Sequence, residues 1–160
     1  MSGYRPTFSF EGLQGKKFSL VAARWNGKIM EGLISGALEA LQEHSISRSS
    51  ISLFRVPGAF ELGLACQEVA RTGKYDGVIA LGCVVRGETP HFDYICAETC
   101  RGLGQVALRE AIPLAFGVLT VDSVDQALER SDGNCQNKGR EAALALMEML
   151  QTLEQIRDIS

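Results

Sequence analysis

The chain has 160 residues, 46% hydrophobic and 22% charged, enough apolar material for one compact domain. A net charge of −3 supplies no basic stripe, which leaves nucleic-acid or anionic-membrane binding without electrostatic support. The longest apolar runs are too short to span a bilayer, and Met1 to Pro6 carry no signal-peptide pattern. Five cysteines, an odd number with no C-x-x-C pair, point to reduced thiols and a cytoplasmic protein. Cys96 and Cys100, one helical turn apart, read as small apolar side chains rather than a metal or redox pair.

In chain order, Thr7 to Glu11 alternate like a strand ahead of a turn from Gly12 to Gly15. This arm, residues 1–12, either adds to the sheet edge of another subunit or packs on its own domain. Phe18 to Ala23 reads as the first strand, broken by Arg24-Trp25-Asn26-Gly27. Met30, Leu33, Ile34, Ala37, Leu38 and Leu41 then recur at helical spacing. Ile51 to Val56 is a second strand ended by Pro57-Gly58, with a helix from Ala59 to Ala70 behind it. Val78 to Val85 is a third strand, followed by a helix that Ile112-Pro113 closes. Leu114 to Thr120 is a fourth strand, and Asp122 or Ser123 caps a short helix after it. The last helix runs from about Asn137 to Leu153. Gly102 and Gly104 would let helices approach closely, either around a symmetry axis or within one subunit.

Alternating strands and helices predict a parallel sheet covered on both faces, a three-layer α/β/α sandwich. Right-handed crossovers with one reversal give a flavodoxin-like strand order, 2-1-3-4. No linker, repeat or low-complexity segment divides residues 1–160, so they form a single domain. In such sheets ligands bind beyond the carboxyl ends of the strands, where the polar loops of this chain fall.

The loop after the third strand is the richest of them. Arg86 offers a cation, Gly87 a flexible backbone, Thr89 a hydroxyl, and His91 one of only two histidines. A strand end, a glycine and a helix start leave N–H groups pointing outward, an anion site with a proton carrier beside it. Trp25, the only tryptophan, either stacks on a planar heterocycle or closes the rim of the core. Glu61, beside Phe60, either accepts hydrogen bonds from a polyol or complements a helix dipole. Arg130 and Lys138 flank a polar loop and read as a second anion contact or as solvated charges. No nucleotide-binding glycine loop, metal-ligand spacing or G-x-S-x-G elbow occurs, so the expected chemistry needs no cofactor and no metal.

Several stretches together resemble the lumazine synthase family. They are Arg24-Trp25-Asn26, Val56 to Leu62, Ala80 to Tyr94, Phe116 to Thr120, Gln126 to Arg130 and Asn137 to Ala143, in order across residues 13 to 153. The resemblance implies condensation of 5-amino-6-(D-ribitylamino)uracil with 3,4-dihydroxy-2-butanone 4-phosphate to 6,7-dimethyl-8-ribityllumazine, in riboflavin biosynthesis. It implies that Trp25, Ala59, Phe60, Glu61, Val84, Val85, Phe116 and Lys138 hold the ribitylaminouracil. Gly87, Glu88, Thr89 and Arg130 would hold the phosphate, and His91 would carry protons. Phe116 and Arg130 would reach the site from an adjoining subunit, which implies a homopentamer. Many members of the family stack twelve pentamers into an icosahedral shell, others stop at one pentamer or two, and riboflavin synthase is the partner implied. A non-catalytic flavin- or lumazine-binding or shell-forming descendant is the alternative; the presence of Thr89, His91 and Arg130 speaks for the enzyme. Three positions depart from the family: Trp25 for the usual Phe, Glu88 beside the phosphate, and Ser131 to Gln136 for a Gly-Thr-Lys-Ala-Gly pattern.

Overall fold

The computed structural model describes residues 9–133 and 136–159. Strands β1 (Phe18–Ala23), β2 (Ile51–Val56), β3 (Gly77–Val85) and β4 (Leu114–Val121) form one parallel sheet in the order β2-β1-β3-β4. Five helices connect and flank them: α1 (Gly27–Glu43), α2 (Leu62–Arg71), α3 (His91–Glu110), α4 (Val124–Glu129) and α5 (Lys138–Asp158). This is the flavodoxin-like sandwich the sequence predicts.

Alternation along the strands divides the core in two. Phe18, Leu20 and Ala22 of β1 and Ile79 and Leu81 of β3 face α1 and α5. Val21 and Ala23 of β1 and Val78 and Ala80 of β3 face α2 and α3. Both central strands are therefore buried on both sides, which is why they read as continuous apolar runs.

The contact between α1 and α5 depends on small residues. A Cβ on Gly139 would overlap the carbonyl of Leu33, and one on Gly36 would overlap the side chain of Asn137. Asn137 is itself buried. Its Nδ2 lies 2.9 Å from Gly32 O, 3.0 Å from Ser131 O and 2.7 Å from Asp132 O, and its Oδ1 accepts from Arg140 N at 3.0 Å. One amide thus caps α5 and ties the preceding loop to α1.

Ser9 to Leu13 pack on their own domain. The Phe10 ring stands edge-on to His44, with centroids 4.5 Å apart, and Gln151 Nε2 donates to the carbonyls of Ser9 (2.8 Å) and Glu11 (3.2 Å). The rest of the strand-like arm, Thr7 and Phe8 included, lies outside the described residues.

Gly139→Ala is expected to destabilise the chain by about 1–3 kcal/mol, because the added methyl meets backbone rather than a movable side chain. Thermal unfolding checks this, with about 2–4 °C expected for each kcal/mol lost. An unchanged midpoint would mean that α1 and α5 separate without cost.

Candidate active site

The carboxyl ends of β1, β2 and β3 come together around a cleft of about 490 Å³. The loop after β1 contributes Trp25, the turn after β2 contributes Ala59, Phe60 and Glu61, and β3 contributes Val84 and Val85. His91, the first residue of α3, stands at the same opening. Trp25 and Phe60 are 73% and 59% exposed, so two aromatic faces are available to a planar ligand.

Local geometry explains the placement. Asn26 adopts the left-handed conformation (φ 62°, ψ 55°), and its Nδ2 donates to Cys83 O at 3.2 Å. That turn starts α1 and fastens the Trp25 loop to β3. The absence of a side chain at Gly58 lets the indole lie close, since a Cβ there would sit 3.3 Å from Trp25 Cδ1. Glu61 Oε2 accepts from Gly58 N at 2.9 Å, closing the turn over Ala59–Glu61. The glutamate therefore has a helix-start role, and its second oxygen has no protein partner among the described residues.

Gly87, Glu88 and Thr89 form an exposed loop between β3 and α3. Nothing lies within 4 Å of where a Gly87 Cβ would be, so the backbone there is open to a ligand. Thr89 Oγ1 accepts from His91 N at 3.4 Å. Arg86, read from the sequence as the cation of an anion site, is instead engaged by protein. Its Nε donates to Asp122 Oδ1 at 2.9 Å, its Nη1 donates to Asp93 Oδ1 at 3.3 Å, and its guanidinium lies 4.2 Å from the Phe92 ring centre.

Phe116, Arg130 and Lys138 are not brought to this cleft within one chain. They line a second cleft of about 610 Å³ along the outer edge of β4 and α5, which shares no lining residue with the first. There Arg130 Nη1 donates to Gln126 O at 2.9 Å, Lys138 Nζ pairs with Glu141 Oε2 at 2.7 Å, and Lys138 N donates to Arg130 O at 2.8 Å. Phe116 is 47% exposed.

Sequence reasoning placed Asn26 in a strand-end loop and Asn137 at a helix start, but missed the partners of their side chains and the acidic partners of Arg86. Asn26-Gly27 carried a signal, because Asn-Gly favours a left-handed turn. The bond from Asn137 to Gly32 of α1 and the pairs of Arg86 with Asp93 and Asp122 join separate elements and had none.

Burial governs the thiols. It pushes Cys83, at the cleft wall, up to about 11, and Cys66, on the buried face of α2, up to about 12. Both remain protonated near neutrality and are poor nucleophiles. Because the folded values lie above the unfolded value of 9.0, this contribution to stability is complete below that pH. It is lost as pH rises from there toward 11 and 12. At pH 8, iodoacetamide is expected to label exposed Cys100 at least about 100-fold faster than Cys66 or Cys83 in the folded protein. Mass spectrometry of the labelled peptides checks this, and equal labelling would show that the core opens readily.

Among the described residues no three His, Cys, Asp or Glu side chains group as a metal site, and no helix is long and apolar enough to cross a membrane. Residues 15–154 match the family profile described as 6,7-dimethyl-8-ribityllumazine synthase. The chain is also 46% identical over 143 residues to a protein of Desulfovibrio desulfuricans named 6,7-dimethyl-8-ribityllumazine synthase. That match covers 89% of this chain and 92% of the relative. With nearly the whole domain matched, and with the sheet order that the crossover rule predicted, the chain belongs to the 6,7-dimethyl-8-ribityllumazine synthase family.

Proposed function

We propose that this enzyme condenses 5-amino-6-(D-ribitylamino)uracil with 3,4-dihydroxy-2-butanone 4-phosphate to 6,7-dimethyl-8-ribityllumazine, and that the cleft at β1, β2 and β3 is where it does so. The observation that carries the site is the convergence of Trp25, Glu61, Val84, Val85 and His91 from separate strand ends on one opening. Trp25 stacks on the pyrimidine, Val84 and Val85 present backbone to its edge, and Ala59, Phe60 and Glu61 hold the ribityl chain. Gly87, Glu88 and Thr89 offer backbone N–H groups and a hydroxyl to the phosphate.

The 5-amino nitrogen attacks the ketone carbon, and water leaves to give an imine. A proton is lost from carbon, the C–O bond to phosphate breaks, and inorganic phosphate departs. The enol left behind takes up a proton at its terminal carbon and becomes a ketone, the ribityl-bearing nitrogen attacks that new carbonyl, and a second water leaves as the ring closes. The amine is already a good nucleophile, so holding both substrates in contact supplies much of the rate. His91 moves the protons, a contribution of about 10²–10⁴-fold.

Phe116, Arg130 and Lys138 complete the site of an adjoining copy, Arg130 on the phosphate and the other two on the ribitylaminouracil. What supports this is their position on a separate cleft of the same chain. A cyclic ring satisfies the geometry, and a pentamer is the size proposed, with an icosahedral shell of twelve as its larger form. Residues 1–160 act as one domain, and the part of the arm that precedes Ser9 adds to the open outer edge of β4 in a neighbour. The exposed β4 edge supports that pairing. A cytoplasmic location and riboflavin synthase as a partner complete the proposal.

Mixing purified protein with both substrates, without added metal, should produce lumazine absorbance and fluorescence. A folded, assembled protein that forms none would overturn the proposal.

Trp25 gives a second check. Its fluorescence should fall when a lumazine or a flavin binds. Trp25→Phe should retain activity, whereas Trp25→Ala should weaken binding by about 0.5–1.5 kcal/mol from stacking, beyond the loss of buried area. Assembly of Trp25→Ala, followed by light scattering, should match the parent; disassembly with normal ligand binding would make Trp25 an interface residue.

A further inference from the structure

We infer that Arg86 is a positioning residue, a clamp that holds the Gly87–Thr89 loop in its anion-binding shape without touching the anion. The inference rests on the assignment of that loop to the phosphate. Arg86 lies immediately before the loop, and its four contacts join that side to what comes after or beside it. Its backbone N donates to Val121 O at 2.8 Å, and its Nε donates to Asp122 Oδ1 at 2.9 Å, which tie it to the end of β4. Its Nη1 reaches Asp93 Oδ1 at 3.3 Å, and its guanidinium covers the Phe92 ring at 4.2 Å, both in the first turn of α3. The residue before the loop therefore grips the helix after it. A planar fork with several donors can make these contacts together; an ammonium cannot.

The loop needs such a device. Its residues are exposed, and Gly87 has no neighbour to fix it. An unclamped loop would lose conformational freedom each time phosphate bound, and affinity would fall accordingly. The clamp also leaves Arg86 with two carboxylates, so little of its charge remains for a ligand.

The sign of one variant separates the clamp from a direct ligand. Asp122→Asn keeps the backbone contact from Asp122 N to Gln126 Oε1 but weakens the side-chain pair. If Arg86 were a phosphate ligand, removing a competing anion would lower KM for 3,4-dihydroxy-2-butanone 4-phosphate. The clamp predicts that KM rises, by about two- to fivefold for an exposed pair. Arg86→Met should raise the same KM by at least as much, and Arg86→Lys should fall between. The double variant Arg86→Met with Asp122→Asn should be no worse than Arg86→Met alone, as expected for two members of one contact. KM for the ribitylaminouracil should stay unchanged throughout, which a general loss of structure would not allow.

Thr89→Ala distinguishes failure of the clamp from failure of the loop assignment. A raised KM in Thr89→Ala with no change in Arg86→Met would overturn the clamp alone. No change in either would place the phosphate elsewhere and overturn both. A lowered KM in Asp122→Asn would make Arg86 a ligand.

Discussion

β1 and β3 lie side by side in the sheet, but the chain leaves them for opposite faces, β1 into α1 and β3 into α3. In the order β2-β1-β3-β4, the connection from β1 runs outward to β2 and the connection from β3 runs outward to β4, so the two part in opposite directions at this point. The two following loops separate there, and the gap between them becomes the cleft. Every other feature of the site follows from that constraint. Trp25 and Asn26 stand at one lip, Arg86 to His91 at the other, and the Ala59–Glu61 turn after β2 closes the side. The hydrogen bond from Asn26 Nδ2 to Cys83 O spans the divergence and fixes the distance between its lips.

A single chain leaves this arrangement open. Trp25, Phe60 and Phe116 remain largely exposed, and a solitary subunit gains nothing from displaying them. Arg130 and Lys138 are placed with equal care on the other side. The buried Asn137 amide sets the loop that joins them, and the bond from Lys138 N to Arg130 O holds their backbones together. Two half-sites on one subunit, each built firmly and each unfinished, are what a ring of identical copies would join. The reading of the second cleft as part of a shared site rests on this pairing of order with incompleteness.

Much of this was legible in the sequence. The apolar runs gave all four strands within a residue or so, because β1 and β3 are buried on both faces and β2 and β4 end at clear turns. The strand order followed from handedness, and the cleft residues followed from their place just after strand ends. Charge partners were less accessible. Arg86 looked like an anion contact because its neighbours in sequence are glycine and threonine, but its partners in space are Asp93 and Asp122. Gly102 illustrates the same limit. Read with Gly104 as room for helices either around an axis or within one subunit, it faces Gly63 of α2 in its own chain, a choice the sequence left open. Asn137, the most heavily bonded side chain near the second cleft, gave no signal beyond that of a helix cap. Periodicity reports which face of an element is buried; it does not report which elements meet across that face.

The central claim is that each active site takes His91 from one copy and Arg130 from the next. Co-expression of Arg130→Ala and His91→Ala chains tests it directly. If the site is shared, random mixing in a ring places an intact His91 beside an intact Arg130 in about one site in four, and the mixed assemblies regain activity well above the mean of the two variants alone. If both residues served the same site from one chain, every site would keep one lesion, and activity no higher than that mean would contradict the account.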